Sequence, residues 1–154
     1  MKKNILFSLI TLASITATAQ KFNYKVGIIT SLPANVCYTH PLSGSTMLEA
    51  STKISKKLNF VANSGYVRLS TTQDTKLSQI PVLVGVKYAI NTNWYFGGAA
   101  GITIPTKKTY GSTEFGYSPY LGYQKNHISV DGRYYLSGLQ TPISTMCLVF
   151  SYTL

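Results

Sequence analysis

The sequence predicts an all-β protein: an eight-stranded antiparallel up-and-down transmembrane β-barrel with an apolar exterior and a polar, packed interior. Three observations support this prediction. The chain begins with an export segment, its remaining residues alternate between apolar and polar with a period of two, and its charged fraction is only 12%. Alternation marks β-strands because successive side chains leave a pleated strand on opposite faces.

The N-terminus has the form of a Sec-type signal peptide. Two lysines precede an apolar stretch, residues 5–15, which runs into a small-x-small pattern ending at Ala19. Signal peptidase accepts such a pattern. The apolar stretch is shorter than the roughly 20 residues that a spanning helix needs. We therefore predict a signal peptide over 1–19 and one outer-membrane β-barrel domain over 20–154.

The chain is basic, with a formal net charge of +10. Removal of the two lysines in the signal peptide leaves +8. These charges do not predict nucleic-acid binding, because the protein is exported and its lysines are scattered rather than gathered in one stripe. Cys37 and Cys147 would meet an oxidising compartment, where a disulfide is chemically allowed. Two unpaired thiols are the alternative.

The period of two divides the exported chain into eight strands. The contrast is sharpest in 127–138, where apolar residues such as Val130 alternate with polar residues such as Asp131. Most segments approach the 9 to 11 residues of a tilted membrane strand. The predicted strands are 22–31, 44–54, 58–69, 77–90, 94–104, 113–124, 127–138 and 143–154.

The segment 44–54 also fits an amphipathic helix. Apolar residues from Met47 to Leu58 share one helical face, and Glu49 with Lys53 forms an i, i+4 pair. We favour a strand, because 44–54 then pairs through the turn 55–57 with the predicted strand 58–69 and keeps its apolar residues on one face.

Three short turns, 55–57, 91–93 and 125–126, set the predicted registers. Each turn leaves the apolar residues of its hairpin on one face, which a slip of one residue would reverse. Pro81 and Pro119 each remove a hydrogen-bond donor, so we expect bulges or local strand ends there. The predicted pairs are Ile54 with Leu58, Thr52 with Phe60, Lys53 with Asn59, Glu49 with Asn63, Ile90 with Trp94, Tyr88 with Phe96, Val82 with Ile102, Lys87 with Gly97, Tyr123 with Ile128, Leu121 with Val130, Tyr117 with Tyr134 and Phe115 with Leu136.

These three turns lie at one end of the predicted barrel, and the connections at the other end are longer on average. Short periplasmic turns, longer outer loops and an even number of strands are typical of outer-membrane barrels. Aromatic residues gather near both ends of the strands, which fits interfacial girdles. Their general preference for strands is the alternative explanation.

A soluble lipocalin-like barrel would show the same alternation with its apolar face inward. The charged residues must therefore distinguish a soluble barrel from a membrane barrel. A soluble protein that exposed the mixed face to water would usually carry more charge than 12%. In a narrow membrane barrel this face becomes a packed interior, where buried charges need partners. We predict a structural polar network in the lumen, formed by Glu49, Lys53, Lys87, Glu114, Asp131 and Arg133.

The segments 80–102 (IPVLVGVKYAINTNWYFGGAAGI) and 118–136 (SPYLGYQKNHISVDGRYYL), with a signal peptide ending in ATAQ, resemble the outer-membrane protein β-barrel domain family of small exported barrels. The resemblance covers the second half of the chain better than the first. It implies fold and location and carries no catalytic residue across. Barrels of this kind often end in an aromatic residue, whereas this chain ends in Leu154.

Specific chemistry finds little support. His127, Ser129 and Asp131 share the interior face, but His127 and Asp131 lie about 13 Å apart along a strand, and a hydrolytic triad needs hydrogen-bond contact. We predict no catalytic residue, and no metal or cofactor site, because no Cys/His cluster has ligand spacing. Lys107 and Lys108, in the predicted third outer loop, are candidates for contacts with anionic lipid headgroups or sugars. Solvated loop charges are the alternative.

The sequence therefore favours a small, non-enzymatic outer-membrane barrel with a structural or surface-interaction role. We expect it to contact outer-membrane lipids and lipopolysaccharide, to be inserted by the barrel-assembly machinery and to be a monomer. A channel is not expected, because side chains fill an eight-stranded interior. The alternatives are a soluble periplasmic lipocalin-like barrel that binds a small apolar ligand, and a lipid-modifying barrel enzyme of the outer membrane.

Overall fold

The computed structural model describes residues 21–33, 45–70, 76–106, 112–137 and 143–154. These residues form one closed barrel in which each strand pairs antiparallel with its neighbours in the chain and the first strand pairs with the last. The predicted eight-stranded, antiparallel, all-β barrel is confirmed. The strands are β1 (Phe22–Pro33), β2 (Ser45–Lys53), β3 (Leu58–Ser70), β4 (Lys76–Ala89), β5 (Trp94–Pro105), β6 (Glu114–Lys125), β7 (Ile128–Ser137) and β8 (Ile143–Thr153).

The strand registers stagger the barrel. A path that leaves Phe22 and follows the paired positions once around the ring returns to β1 at Leu32. An eight-stranded barrel with this stagger has strands tilted by about 40° to its axis. In the described ranges, no helix has the length and apolar character required to cross a membrane.

The predicted registers of the β2–β3 and β4–β5 hairpins are confirmed, and β2 is a strand rather than a helix. Asn91 shapes the connection after β4, because its side-chain oxygen accepts hydrogen bonds from the backbone N–H groups of Asn93 and Trp94, at 2.9 and 2.8 Å. The confirmed pairs include Thr52 with Phe60, Glu49 with Asn63, Tyr88 with Phe96 and Lys87 with Gly97.

The predicted β6–β7 register is wrong by two residues. Tyr123 pairs with Val130 instead of Ile128. The reason is the turn: Asn126 has a φ of 56°, a conformation that asparagine tolerates better than most residues. The turn therefore comprises Asn126 and His127. Moving a turn by one residue changes every pair by two positions, and each side chain keeps its face.

The prolines interrupt pairing with one neighbouring strand without inserting a residue, and β4 and β6 both continue through them, so neither the expected bulges nor the expected local strand ends occur. Opposite β3, pairing stops after Val82 and resumes at Gln79 in the same register on both sides of Pro81. Pro119 interrupts β6–β7 pairing in the same way. Each proline lacks one donor, but pairing with the strand on its other side is continuous.

The two faces of the sheet separate as predicted. Val82 and Val84 point outward and are 43% and 52% exposed, whereas Leu83 between them faces the lumen and is buried. The lumen is polar in part only, because it also contains an apolar section. That section is formed by Ile29, Met47, Val67, Leu83, Ala99, Tyr135, Cys147 and Val149.

Glycine and tyrosine alternate across the lumen face of the β5–β6 pair. Tyr95 is paired with Gly122, and Gly97 with Tyr120. A Cβ atom on Gly97 would lie 2.5 Å from the ring of Tyr120 and 2.5 Å from the carbonyl oxygen of Val86, and one on Gly122 would lie 2.5 Å from the ring of Tyr95. The glycines therefore provide the space in which the two rings lie across the neighbouring strand.

We expect Gly97→Ala to lower the free energy of unfolding by about 1–3 kcal/mol, because the added methyl group must displace the Tyr120 ring or the β4 backbone. The adjacent Gly98 is the matched control. Its Cβ would meet nothing closer than 4.0 Å, so Gly98→Ala should change stability by no more than about 0.5 kcal/mol. Equilibrium unfolding in urea measures both, and equal losses would contradict this role for Gly97.

Candidate functional site

The lumen contains the buried charged side chains of the described barrel. We call the end with the connections 54–57, 90–93 and 126–127 the turn end, and the opposite end the loop end. The buried charged residues all lie in the half of the lumen nearer the turn end, whereas the apolar section lies further towards the loop end. They are Lys25, Glu49, Lys87, Asp131 and Arg133.

Four of these side chains form one connected ion network. Glu49 accepts a hydrogen bond from Lys87 Nζ at 2.8 Å on one oxygen and from Arg133 Nη2 at 3.1 Å on the other. Arg133 Nη2 also donates to Asp131 at 3.0 Å. No side chain in this network is more than 8% exposed. Mutual pairing is what makes such burial tolerable, because each charge has left water.

The two lumen tyrosines complete the network. The hydroxyl group of Tyr95 donates to Asp131 Oδ1 at 2.6 Å. The guanidinium carbon of Arg133 lies 4.4 Å from the centre of the Tyr120 ring, and Lys87 Nζ lies 5.2 Å from that of Tyr95. Both geometries are favourable cation–π contacts. The prediction omitted both tyrosines, although their alternation with outward residues such as Trp94 and Leu121 indicated an inward face.

Lys25 is also buried in the lumen, although the predicted network did not include it. Its ammonium group donates to Gln124 Oε1 at 2.8 Å and to Ser129 Oγ at 3.0 Å. Ser129 in turn shares a 2.7 Å hydrogen bond with Ser151. Among the carboxylates of the described chain, none forms an ion pair with Lys25. This lysine is only 4% exposed and has neutral hydrogen-bond partners.

Lys53 and Glu114 stand apart from the network, which corrects the predicted membership. Lys53 is exposed at the turn-end rim, and Glu114 is half-buried at the start of β6, near the loop end. Neither makes an ion pair within the described ranges. Their alternation assigned them to the lumen face, but Lys53 is the last residue of β2 and Glu114 the first of β6, so they lie at opposite ends of the barrel.

A cavity of about 540 Å³ opens at the turn end, and we call it the vestibule. Its described lining contains four lysines and no carboxylate: Lys25, Lys53, Lys56 and Lys87. The apolar section encloses a separate cavity of about 40 Å³. The vestibule is therefore the larger of these two cavities, and its described walls are cationic.

The remaining candidate residues do not form a reactive site in the described structure. His127 is exposed in the turn, where its Nδ1 lies 3.1 Å from the carbonyl oxygen of Thr153 and its ring stacks on Tyr152. It makes no contact with Ser129 or Asp131. Within the described part of the chain, no three His, Cys, Asp or Glu side chains are placed to hold a metal ion.

Three residues singled out in the sequence lie outside the described residues: Lys107, Lys108 and Cys37. Cys147 is buried in the apolar section and forms no disulfide with any described residue.

Comparison with known proteins shows the fold. No protein-family model and no curated protein matches the chain. The outer membrane protein Ail of Yersinia pestis in a phospholipid bilayer nanodisc is 15% identical, with a TM-score of 0.61, over 87% of this chain and 100% of that one. The crystal structure of Ail is 14% identical, with a TM-score of 0.57, over 88% and 97%.

A de novo designed transmembrane β-barrel is also similar. It is 12% identical, with a TM-score of 0.57, and the match covers 86% of this chain and 95% of the designed one. At these identities the likeness shows the architecture that the chain shares with small membrane barrels.

Replacing Arg133 tests the ion network. Arg133→Leu leaves two carboxylates with one lysine between them, so we expect the free energy of unfolding to fall by about 3–5 kcal/mol. Arg133→Leu combined with Asp131→Asn retains the Glu49–Lys87 ion pair, which carries no net charge, and should recover part of the lost stability. Arg68→Leu is the control, because Arg68 is half-buried on the outward face of β3, and it should cost no more than about 0.5 kcal/mol.

Urea unfolding of the four proteins measures these differences. A double variant that is less stable than Arg133→Leu alone would show that lost packing, rather than unbalanced charge, determines the effect.

Proposed function

We propose that this chain is a small integral protein of the cell outer membrane, a non-enzymatic β-barrel with a structural or surface-interaction role. The observation that carries the proposal is the continuous apolar outer surface of a closed barrel. Ile28, Leu121 and Phe150 are each at least half exposed. A soluble monomer rarely exposes an apolar patch of more than a few hundred Å², whereas hydrocarbon chains cover such a surface favourably.

Closure of the ring supports the same proposal. A membrane-spanning β-structure must pair its backbone donors and acceptors internally, because lipid tails offer no hydrogen bonds. Pairing of β1 with β8 from Lys25–Thr153 to Pro33–Thr145 removes the free edges of the sheet. The structural likeness to Ail and to designed transmembrane barrels is consistent with this environment.

Aromatic side chains support a membrane interface at the turn end, and the short turns there, which are typical of the periplasmic side, support its orientation towards the periplasm. At that end Trp94 packs edge-to-face on Tyr123 at 5.3 Å, and Tyr88 lies 5.3 Å from Phe96. Amphipathic rings of this kind favour the headgroup level of a membrane. The longer connections at the loop end then face the outside, where Lys107 and Lys108 remain candidates for contacts with lipopolysaccharide.

The non-enzymatic role is proposed because the described polar groups of the lumen bond mainly to one another. Outer-membrane lipids and lipopolysaccharide would contact the apolar surface, and the barrel-assembly machinery would insert the chain, as the resemblance to the outer-membrane protein β-barrel domain family implies. We propose a monomer that binds no nucleic acid. A lipocalin-like barrel requires an inward apolar face, which the outward Val82 and Val84 oppose. A lipid-modifying enzyme has no support from the exposed His127.

Membrane fractionation and gel mobility test the location. We expect the exported protein to sediment with membranes, to require detergent for extraction, and to migrate differently in SDS before and after boiling, because a closed membrane barrel stays folded in cold detergent. Recovery in the soluble periplasm without detergent would overturn the proposal.

A charged substitution tests whether lipid covers the outer surface. Val84 lies near the middle of β4, and we expect Val84→Arg to lower the free energy of unfolding from phospholipid vesicles by about 2–4 kcal/mol. Ile90 is also outward-facing but lies at the turn end. Ile90→Arg should cost at most about 1 kcal/mol, because the penalty falls near the interface. Similar tolerance of both substitutions would indicate water, not lipid, around Val84.

A further inference from the structure

We propose that the vestibule binds a soluble, phosphate-bearing anion. The charges of the lumen point to this ligand. Two carboxylates, Glu49 and Asp131, are paired with two cations, Arg133 and Lys87. Lys25 then forms no ion pair with a described carboxylate, and the exposed Lys53 and Lys56 add two more positive charges to the same wall. The cavity therefore has an excess of positive charge at its deep end and at its rim.

The burial of Lys25 is the feature that most requires a ligand. An ammonium group has three donors, and Lys25 uses two of them on the neutral side chains of Gln124 and Ser129. A buried cation without a counterion is unfavourable. Lys25 and Lys87 lie over the same ring, with Nζ–centroid distances of 5.5 and 5.2 Å for Tyr95. Two ammonium groups thus border one end of the cavity.

The size and lining of the vestibule indicate the class of anion. Its volume of about 540 Å³ falls within the range of small-molecule sites and is ample for a phosphate group. Lysine binds phosphate as a point charge, and a phosphate group offers three acceptor oxygens and nearly two negative charges. Asn59 supplies a neutral donor in the same lining.

The proposed site opens at the turn end, so it would draw its ligand from the periplasm. Only the assignment of the ligand to the periplasm rests on the proposed membrane function. Binding itself is a property of the folded barrel, and it can be measured in detergent whether or not the protein resides in the outer membrane.

Isothermal titration calorimetry of the folded barrel in a phosphate-free nonionic detergent tests the proposal, with inorganic phosphate and glycerol phosphate as probes at constant low ionic strength. We expect both to bind, and Lys25→Met to weaken binding at least tenfold. Lys57→Met is the matched control, because Lys57 is exposed beside Lys56 but does not line the vestibule. It should change the Kd less than twofold. Gel mobility without boiling verifies that each variant is folded.

If Lys25→Met does not fold, Lys53→Met at the exposed rim replaces it, with an expected weakening of at least threefold. Absence of phosphate binding to the wild-type barrel would overturn the proposal, as would equal weakening by Lys57→Met. A short-chain phosphatidic acid distinguishes a lipid headgroup from a soluble ligand. Binding of this lipid without binding of glycerol phosphate would also overturn the proposal, since the site would then recognise lipid.

Discussion

The closed ring of backbone hydrogen bonds is the constraint on which the rest of this structure depends. Because side chains alternate along every strand, closure gives the barrel one outer and one inner face and fixes each residue on one of them. No other element of the described residues covers the outer face, so its apolar side chains need an apolar surrounding. Around Glu49, Asp131 and Arg133 the inner face is closely packed, so these charges must satisfy one another.

Alternation predicted the faces well and positions along the barrel axis poorly. The period of two identified eight strands, the outward valines of β4 and the lumen positions of Glu49, Lys87, Asp131 and Arg133. Alternation does not give the position of a residue along the barrel axis, because that position depends on the stagger between strands and on turn geometry. For that reason Lys53 and Glu114 were assigned to a network that they do not join, and one positive φ at Asn126 changed the β6–β7 partners by two positions.

Residue size carries a second kind of information that polarity patterns miss. Tyr95 and Tyr120 form a wall of the ion network. The polarity pattern gave them no role there, because they are aromatic residues on a face of mixed polarity. The glycines paired with them, Gly122 and Gly97, are the sequence signal that could have located them. A large residue opposite a glycine on the lumen face implies that the ring crosses the neighbouring strand, because small and large side chains must interdigitate in so narrow a barrel.

The two sections of the lumen also bear on why charges are present there at all. Further towards the loop end, apolar residues such as Leu83 and Val149 fill much of the interior, so apolar packing is a workable solution for this fold. Buried ion pairs are often no more stabilising than apolar packing of equal volume. Stability therefore does not explain the charged section, and least of all Lys25, which lacks a carboxylate partner in the described structure. The charged section borders the vestibule, and a cationic wall facing an open cavity is better explained by what enters that cavity than by what holds the barrel together.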